Sequence, residues 1–381
     1  MQNVGNLVGW DSNNPNLAFR SGLIFPEGIR DPYIHNYYLG FQHELVPRVV
    51  MEMDYVGTAG HKLFRAENIN RIAGGLLPVG TCTVDNFGRT LCGPQDDSSY
   101  PGTTIPINPG GALNANYGQL RAWLNAANSN YNALQGSLRV QSIRGVSFNL
   151  NYTWGHSIDN GSTWHSGATT GNGAAAGDGF TTDFTIPNVD RGNSVYDVRH
   201  RLVANYVWEL PWFTKSANAV ARNVLGGWQL NGIWAFQTGL HWSAFRSSTA
   251  AGGGDYNLDN ERNDRPNYSG PVTFNHDEWA NGIDASGFTS PCLGCVGSLG
   301  RNSLVGPNLF SVDMSLFKTF KFTEQVNLQF RAEGFNVLNR TNFLLPGANF
   351  AGHNRINSPL FGVAAGTLNP RQLQFGLKLS F

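Results

Sequence analysis

Arg371-Gln-Leu-Gln-Phe-Gly-Leu-Lys-Leu-Ser-Phe381 is the stretch that decides how the chain is read. Leu373, Phe375, Leu377, Leu379 and Phe381 share one parity, and Gln372, Gln374, Gly376, Lys378 and Ser380 the other. Side chains of a strand alternate between its faces, so this segment has one oily and one wet side. Its length suits a tilted strand crossing a bilayer, which takes roughly 9–11 residues. Ending on large apolar residues is unusual for a soluble chain, whose termini fray into water.

The same alternation recurs upstream. Val326, Leu328, Phe330 and Ala332 oppose Asn327, Gln329, Arg331 and Glu333. The pattern slips at Gly334, where Phe335 and Val337 take over, and predicts a bulge there. Phe310, Val312, Met314 and Leu316 form another oily row, and Lys318 on that row is expected to snorkel from the membrane edge. Further rows are Trp228–Phe236, Leu202–Trp208, Val146–Trp154, Leu134–Val140, Val49–Tyr55 and Tyr37–Leu45. Residues 1–32 read as an outer loop or truncated start, and 57–130 as mostly loop broken by Pro78, Pro94, Pro101, Pro106 and Pro109. A short strand is expected near Tyr117–Leu124, and Gly171–Gly179 is a low-complexity loop.

Connections at 46–48, 142–145, 211–226 and 323–325 are short or moderate, and those at 57–130, 158–197, 241–308 and 339–370 are long. Strict alternation of short and long is the habit of an up-and-down membrane barrel. Long structureless loops count against a compact soluble domain. The expected fold is therefore all-β: an antiparallel up-and-down transmembrane β-barrel with long extracellular loops. Only about nine strands are found, an odd number that a closed bacterial barrel does not use, so a partial barrel, a curved open sheet, is expected over 33–381.

Composition agrees. The 381 residues carry a net charge of +0, which removes the basic excess that nucleic-acid binding needs. Charged residues make up 14%, against roughly 25% in soluble domains, while aromatics reach 12%. No apolar run is long enough for a transmembrane helix. The N-terminus has neither the basic start nor the apolar core of a signal peptide. Trp208, Trp212, Phe213, Phe320 and Phe322 flank short turns, as interface aromatics do.

Cys82 and Cys92 fall in the first long loop, and Cys292 and Cys295 in the third, both on the side where disulfides persist. Two local disulfides are expected. A zinc site would need four ligands, and no partner pair stands near Cys292 and Cys295. Asp255, Asn257, Asp259 and Glu261 place oxygens at alternate positions, as calcium loops do, but Asn260 and Pro266 break the EF-hand pattern. Ser194, Asp197 and His200 have the residue types of a triad, as do His156, Asp159 and Ser162, without a nucleophile elbow. No catalytic group, cofactor or metal is expected, and the chain is read as not an enzyme.

Several stretches resemble the C-terminal half of TonB-dependent outer-membrane receptors, specifically the Oar-like group with a carboxypeptidase-regulatory-like domain. They include Arg30-Asp-Pro-Tyr33, Asn130-Tyr-Asn-Ala-Leu-Gln135, Tyr152-Thr-Trp154, Asp197-Val-Arg-His-Arg201, Gly226-Gly-Trp-Gln-Leu230, Gly300-Arg-Asn302 and Arg331-Ala-Glu-Gly-Phe-Asn336. The resemblance covers most of 30–381 and implies a 22-stranded barrel in the cell outer membrane, filled by a plug. It implies uptake of a bulky solute of the siderophore, oligosaccharide or peptide class. It also implies a terminal assembly signal, Leu377, Leu379 and Phe381, read by the barrel-assembly machinery. The partners implied are outer-membrane lipid and the parent protein's plug and TonB energy complex. Neither plug nor TonB box is found here, and the chain is expected to be a fragment. Lumen-facing positions would be Asn149, Asn151, Asn327, Gln329, Arg331, Glu333, Gln374 and Lys378. The rival reading is a soluble or cell-surface carbohydrate-binding or adhesive β-protein, with its oily rows turned inward.

Overall fold

The computed structural model describes residues 19–74, 77, 80–93, 117–162, 181–183, 185–186, 188–245, 255–259, 261, 263–270, 278–346 and 353–381. The run Gly171–Gly179 and the loop prolines 78, 94, 101, 106 and 109 lie outside them.

Nine long strands form one sheet: β1 (Tyr33–Val46), β2 (Val49–Asn68), β3 (Tyr117–Ile143), β4 (Val146–Asp159), β5 (His200–Glu209), β6 (Trp228–Gln237), β7 (Leu309–Lys321), β8 (Asn327–Phe335) and β9 (Gln372–Ser380). Each pairs antiparallel with its neighbours in chain order, so the sheet is a simple meander from β1 to β9. The outer edges of β1 and β9 have no strand partner among the described residues. The sheet is open, as the odd strand count predicts.

Register carries the alternation across the whole sheet. Phe320, Leu328 and Leu379 are cross-strand neighbours, as are Leu316, Ala332 and Phe375. On the other face Thr319, Gln329 and Lys378 line up, and so do Arg139, Asn149 and Asn205. Because the period is two, one correct register fixes every face at once. The oily row of β9 is bare: Leu373, Phe375, Leu377 and Leu379 are 65%, 70%, 72% and 56% exposed. No second sheet among the described residues covers it, and the oily rows are not turned inward as a soluble sandwich requires.

Two glycines let tyrosines lie flat on the oily face. A Cβ on Gly57 would collide with the ring of its partner Tyr37, and one on Gly232 with that of Tyr206. Glycine is the residue that admits such close cross-strand approach.

The structure corrects four expectations. The long connection expected over 57–130 is shorter at both ends: β2 runs on to Asn68, and β3 begins at Tyr117. Above the lipid band no oily face is demanded, so Asn, Ser and Thr continue the ladder without visible alternation. Residues 1–32 are not all loop, because Phe19–Ile24 pairs in parallel with the start of β3. Gly334 keeps its register with Leu373, and the pattern slips because β8 ends at Phe335 and Asn336 turns at φ 47°. Lys318 is buried, and its Nζ donates to the Gly226 carbonyl while lying 5.4 Å from the Phe320 ring centroid. It caps a turn instead of reaching water.

Candidate functional site: a knitted loop cap above a polar basin

All four long connections, β2–β3, β4–β5, β6–β7 and β8–β9, leave the same end of the sheet. They fold into a cap, and the buried hydrophobic cluster of the described residues lies there. Trp242, Ala244, Phe288, Leu299 and Leu304 of β6–β7 pack with Leu345 and Phe361 of β8–β9. Main-chain bonds knit the same two connections: Ile283 N–H donates to Phe361 O at 2.8 Å, and Phe245 N–H to Asn354 O at 2.9 Å.

Buried charge ties in the other two. Arg71, from β2–β3, donates to Asp259 of β6–β7 at 2.8 Å and to the Thr181 carbonyl of β4–β5 at 2.7 Å. Arg265 donates to Asp190 at 2.6 Å and to Thr182 at 2.9 Å. Arg301 reaches the Asp159 carboxylate and donates to the Asp190 carbonyl at 2.6 Å. Arg89 bonds Asp85 and Asp183, each at 2.6 Å. A guanidinium is planar, with several donors, so one arginine can hold two connections in fixed relation. Burial pushes Asp190 up, but Arg265 and Thr182 outweigh it and hold the carboxyl below its ordinary value. Asp197 behaves likewise, lowered by His241 at 3.1 Å, by the Ser157 N–H and by Arg199. Two carboxyls go the other way. Asp259 is raised well above its usual value, chiefly by burial. Asp264 is pushed up to about 8 by burial, with the Asp255 charge adding to it.

Beneath the cap, on the polar face, lies a basin of ≈ 550 Å³. Thr58, Tyr131, Gln135, Thr153 and Arg201 rise from β2 to β5, and Tyr196 and Asp197 reach in from the β4–β5 connection. Register explains the grouping: Tyr131 stands between Thr58 and Ser157, and Thr153 between Gln135 and Arg201. Gly155 leaves room for Tyr131 to lie across the sheet, since a Cβ there would stand 3.0 Å from its hydroxyl. The lining offers donors, acceptors, two phenol rings and a guanidinium, all suited to holding a polar solute.

The cysteines are paired locally, Cys82 with Cys92 and Cys292 with Cys295, with Cα separations of 4.0 and 5.1 Å. The two bridges adjoin: a Cβ on Gly294 would meet Thr83, and Asn86 bonds the Val296 carbonyl at 2.8 Å. The suspected triads are not assembled. Ser194 Oγ donates to Asp159 at 2.5 Å, His200 Nδ1 faces the Tyr152 hydroxyl, and Asp197 partners His241. Ser162 donates to Asp159, and His156 meets Asn193. Asp255, Asn257, Asp259 and Glu261 are all buried within the cap. Leu377, Leu379 and Phe381 stand exposed at the free edge. The predicted lumenal residues share the polar face, but none of them lines the basin. Sequence reading missed Tyr131, Tyr196 and Arg201, although Tyr131 has the parity of the lumen-facing Gln135.

Residues 6–374 match a family described as an outer membrane β-barrel domain. The chain belongs to that family. It is thus an outer-membrane β-barrel chain, and its bare oily face is the one turned to lipid. No curated protein matches it. Among solved structures it is similar to the outer membrane transporter YddB from Escherichia coli, at 10% identity and a TM-score of 0.44, covering 96% of this chain and 34% of that one. The ferripyoverdine receptor of Pseudomonas aeruginosa shares 9% identity at a TM-score of 0.41, covering 91% of this chain and 27% of that one. The FrpB iron transporter from Neisseria meningitidis shares 8% at 0.40, covering 93% and 32%. The chain spans about a third of the length of these proteins.

Proposed function

We propose that this outer-membrane chain is barrel wall and outer cap of a TonB-dependent transporter that takes up a bulky solute of the siderophore, oligosaccharide or peptide class. One observation carries the reading. Every long connection is gathered at one end and locked into a cap, directly above a polar basin on the face away from lipid. A simple structural wall needs no such assembly. The two free edges leave a row of unpaired N–H and C=O groups, each costing several kcal/mol in lipid. Further strands must therefore complete the barrel in the working protein, together with a plug, the energy complex and the barrel-assembly machinery. The chain's own work is recognition and passage, not bond chemistry.

The test is uptake by cells expressing the whole gene product, with ferric citrate, maltodextrin and a labelled peptide as probes. Expected is uptake of one class that stops on adding an uncoupler. It should weaken when Tyr131→Ala or Arg201→Ala empties the basin wall while the folded protein still reaches the membrane. Passive flux insensitive to the uncoupler would identify a porin and overturn the reading.

A further inference from the structure

We propose that the β6–β7 connection holds a divalent cation, calcium by its oxygen-only chemistry, between the carboxylates of Asp255 and Asp264 and the side-chain oxygen of Asn257. Asp264 is 1% exposed. One carboxylate oxygen accepts the N–H groups of Tyr256 at 2.5 Å and Asn257 at 2.9 Å, which aims the group at the 255–257 stretch. Its other oxygen, Oδ1, is buried with no hydrogen-bond partner. A buried carboxyl oxygen left without a partner is unfavourable, and a bound cation would satisfy it. The nearby guanidiniums are committed elsewhere: Arg265 serves Asp190 and Arg71 serves Asp259. Asp255, which begins the same 255–257 stretch, is buried as well, and its Oδ1 accepts the Asp259 N–H at 3.0 Å. Two buried carboxylates gathered at one short stretch without a cation repel each other.

The ligand types select the ion. Carboxylate and amide oxygens without thiol or imidazole suit a hard cation rather than zinc. Among the described residues no group of three or more acidic, imidazole or thiol side chains forms a metal site. Two carboxylates therefore leave the remaining positions to amide, main-chain and water oxygens. Calcium accepts that mixture in flexible geometry, whereas magnesium demands a near-ideal octahedron. The arrangement differs from an EF-hand, because the closing carboxylate is Asp264 and not a glutamate at the twelfth position. A cation here would also brace the strand of chain that carries Asp259 to Arg71.

The experiment uses the intact protein in lipid, stripped with chelator and titrated with terbium, whose emission Tyr256 can sensitise. Expected is one saturable site, displaced by calcium and not by equal magnesium. Affinity should fall at least about tenfold in Asp264→Asn and in Asp255→Asn, and stay unchanged in Asp284→Asn, an exposed carboxylate of the same connection. As a check independent of variant folding, calcium should slow hydrogen exchange at the Asn257 and Asp259 amides of the unmodified protein. Binding that survives Asp264→Asn, or no effect of calcium on those amides, overturns the assignment.

Discussion

Leu377 on β9 and Trp242 in the β6–β7 connection are both large apolar side chains, yet the first is 72% exposed and the second 0%. Arg331 on β8 stands on a half-open polar face, while Arg301 in the cap is sealed against Asp159. Among the described residues the buried apolar cluster belongs to the cap and not to the wall. Its oily side depends on lipid, and its polar side lies on the face of the basin. The cap is built like a small soluble domain, with an apolar cluster and arginine–carboxylate pairs buried within the fold. Two solvents therefore act on one chain. What stabilises the wall is the bilayer, and what stabilises the cap is its own packing, so perturbations that spare one should reach the other.

Four measurements sharpen or break that contrast. The largest expected effect is Trp242→Ala, which empties the middle of the cap cluster and should cost about 3–5 kcal/mol. Hydrogen exchange at the Ile283 and Gly306 amides should speed up, while amides of β7 and β8 stay protected. Equal loss in the strands would mean that cap and wall unfold as one unit. Next comes Leu377→Arg, expected to cost about 2–4 kcal/mol when the whole gene product, with its barrel completed, is refolded into bilayers. Gln329→Arg, on the opposite face, should be nearly neutral, and similar costs for both would refute the assignment of faces. Third is the removal of the Cys82–Cys92 bridge as a double serine variant. About 2–3 kcal/mol should be lost from the cap alone, seen as earlier protease cleavage near Thr83.

The smallest effect is acid sensitivity. Asp190, Asp197 and Asp85 all have carboxyls held below their ordinary values, against the pull of burial. A depressed folded value means stability present above the unfolded carboxylate range near about pH 4 and lost as pH falls through the lower folded value. The raised Asp259 and Asp264 act the other way, adding protection as pH falls from about 8 toward 4, so cap protection should peak above about pH 4 and decline below it, with wall amides unchanged. Acid that loosens β7 to β9 before the cap would contradict this.

Much of the wall was legible because lipid imposes a strict rule on sequence. Leu373 to Leu379, Val326 to Ala332 and Val146 to Trp154 alternate since each residue must choose lipid or lumen. Where β2 and β3 rise above the lipid the rule lapses. Ala127, Ser129 and Asn130 then look like loop, although they pair with β2 over a long ladder. Cap contacts were not legible for another reason. Arg71 meets Asp259 at a separation of 188 residues, and Arg301 meets Asp159 at 142. Neither pair leaves a local signature, because no periodicity joins residues so far apart in the chain. The same holds for the basin, which needs the register of four strands before Tyr131 and Arg201 come together.

Those long-range pairs also bear on how the outer surface can change over generations. Exposed connections of membrane proteins face immune and viral pressure and usually drift freely, since little depends on any single position. Here a change at Arg71, Arg265 or Arg301 strands a buried carboxylate far away in sequence, Asp259, Asp190 or Asp159. Loss of one partner from such a pair costs about 3–5 kcal/mol. Escape variants should therefore arise at exposed tips such as Val84, Phe87 and Leu293. The arginines and their distant acids should be inherited together or replaced together.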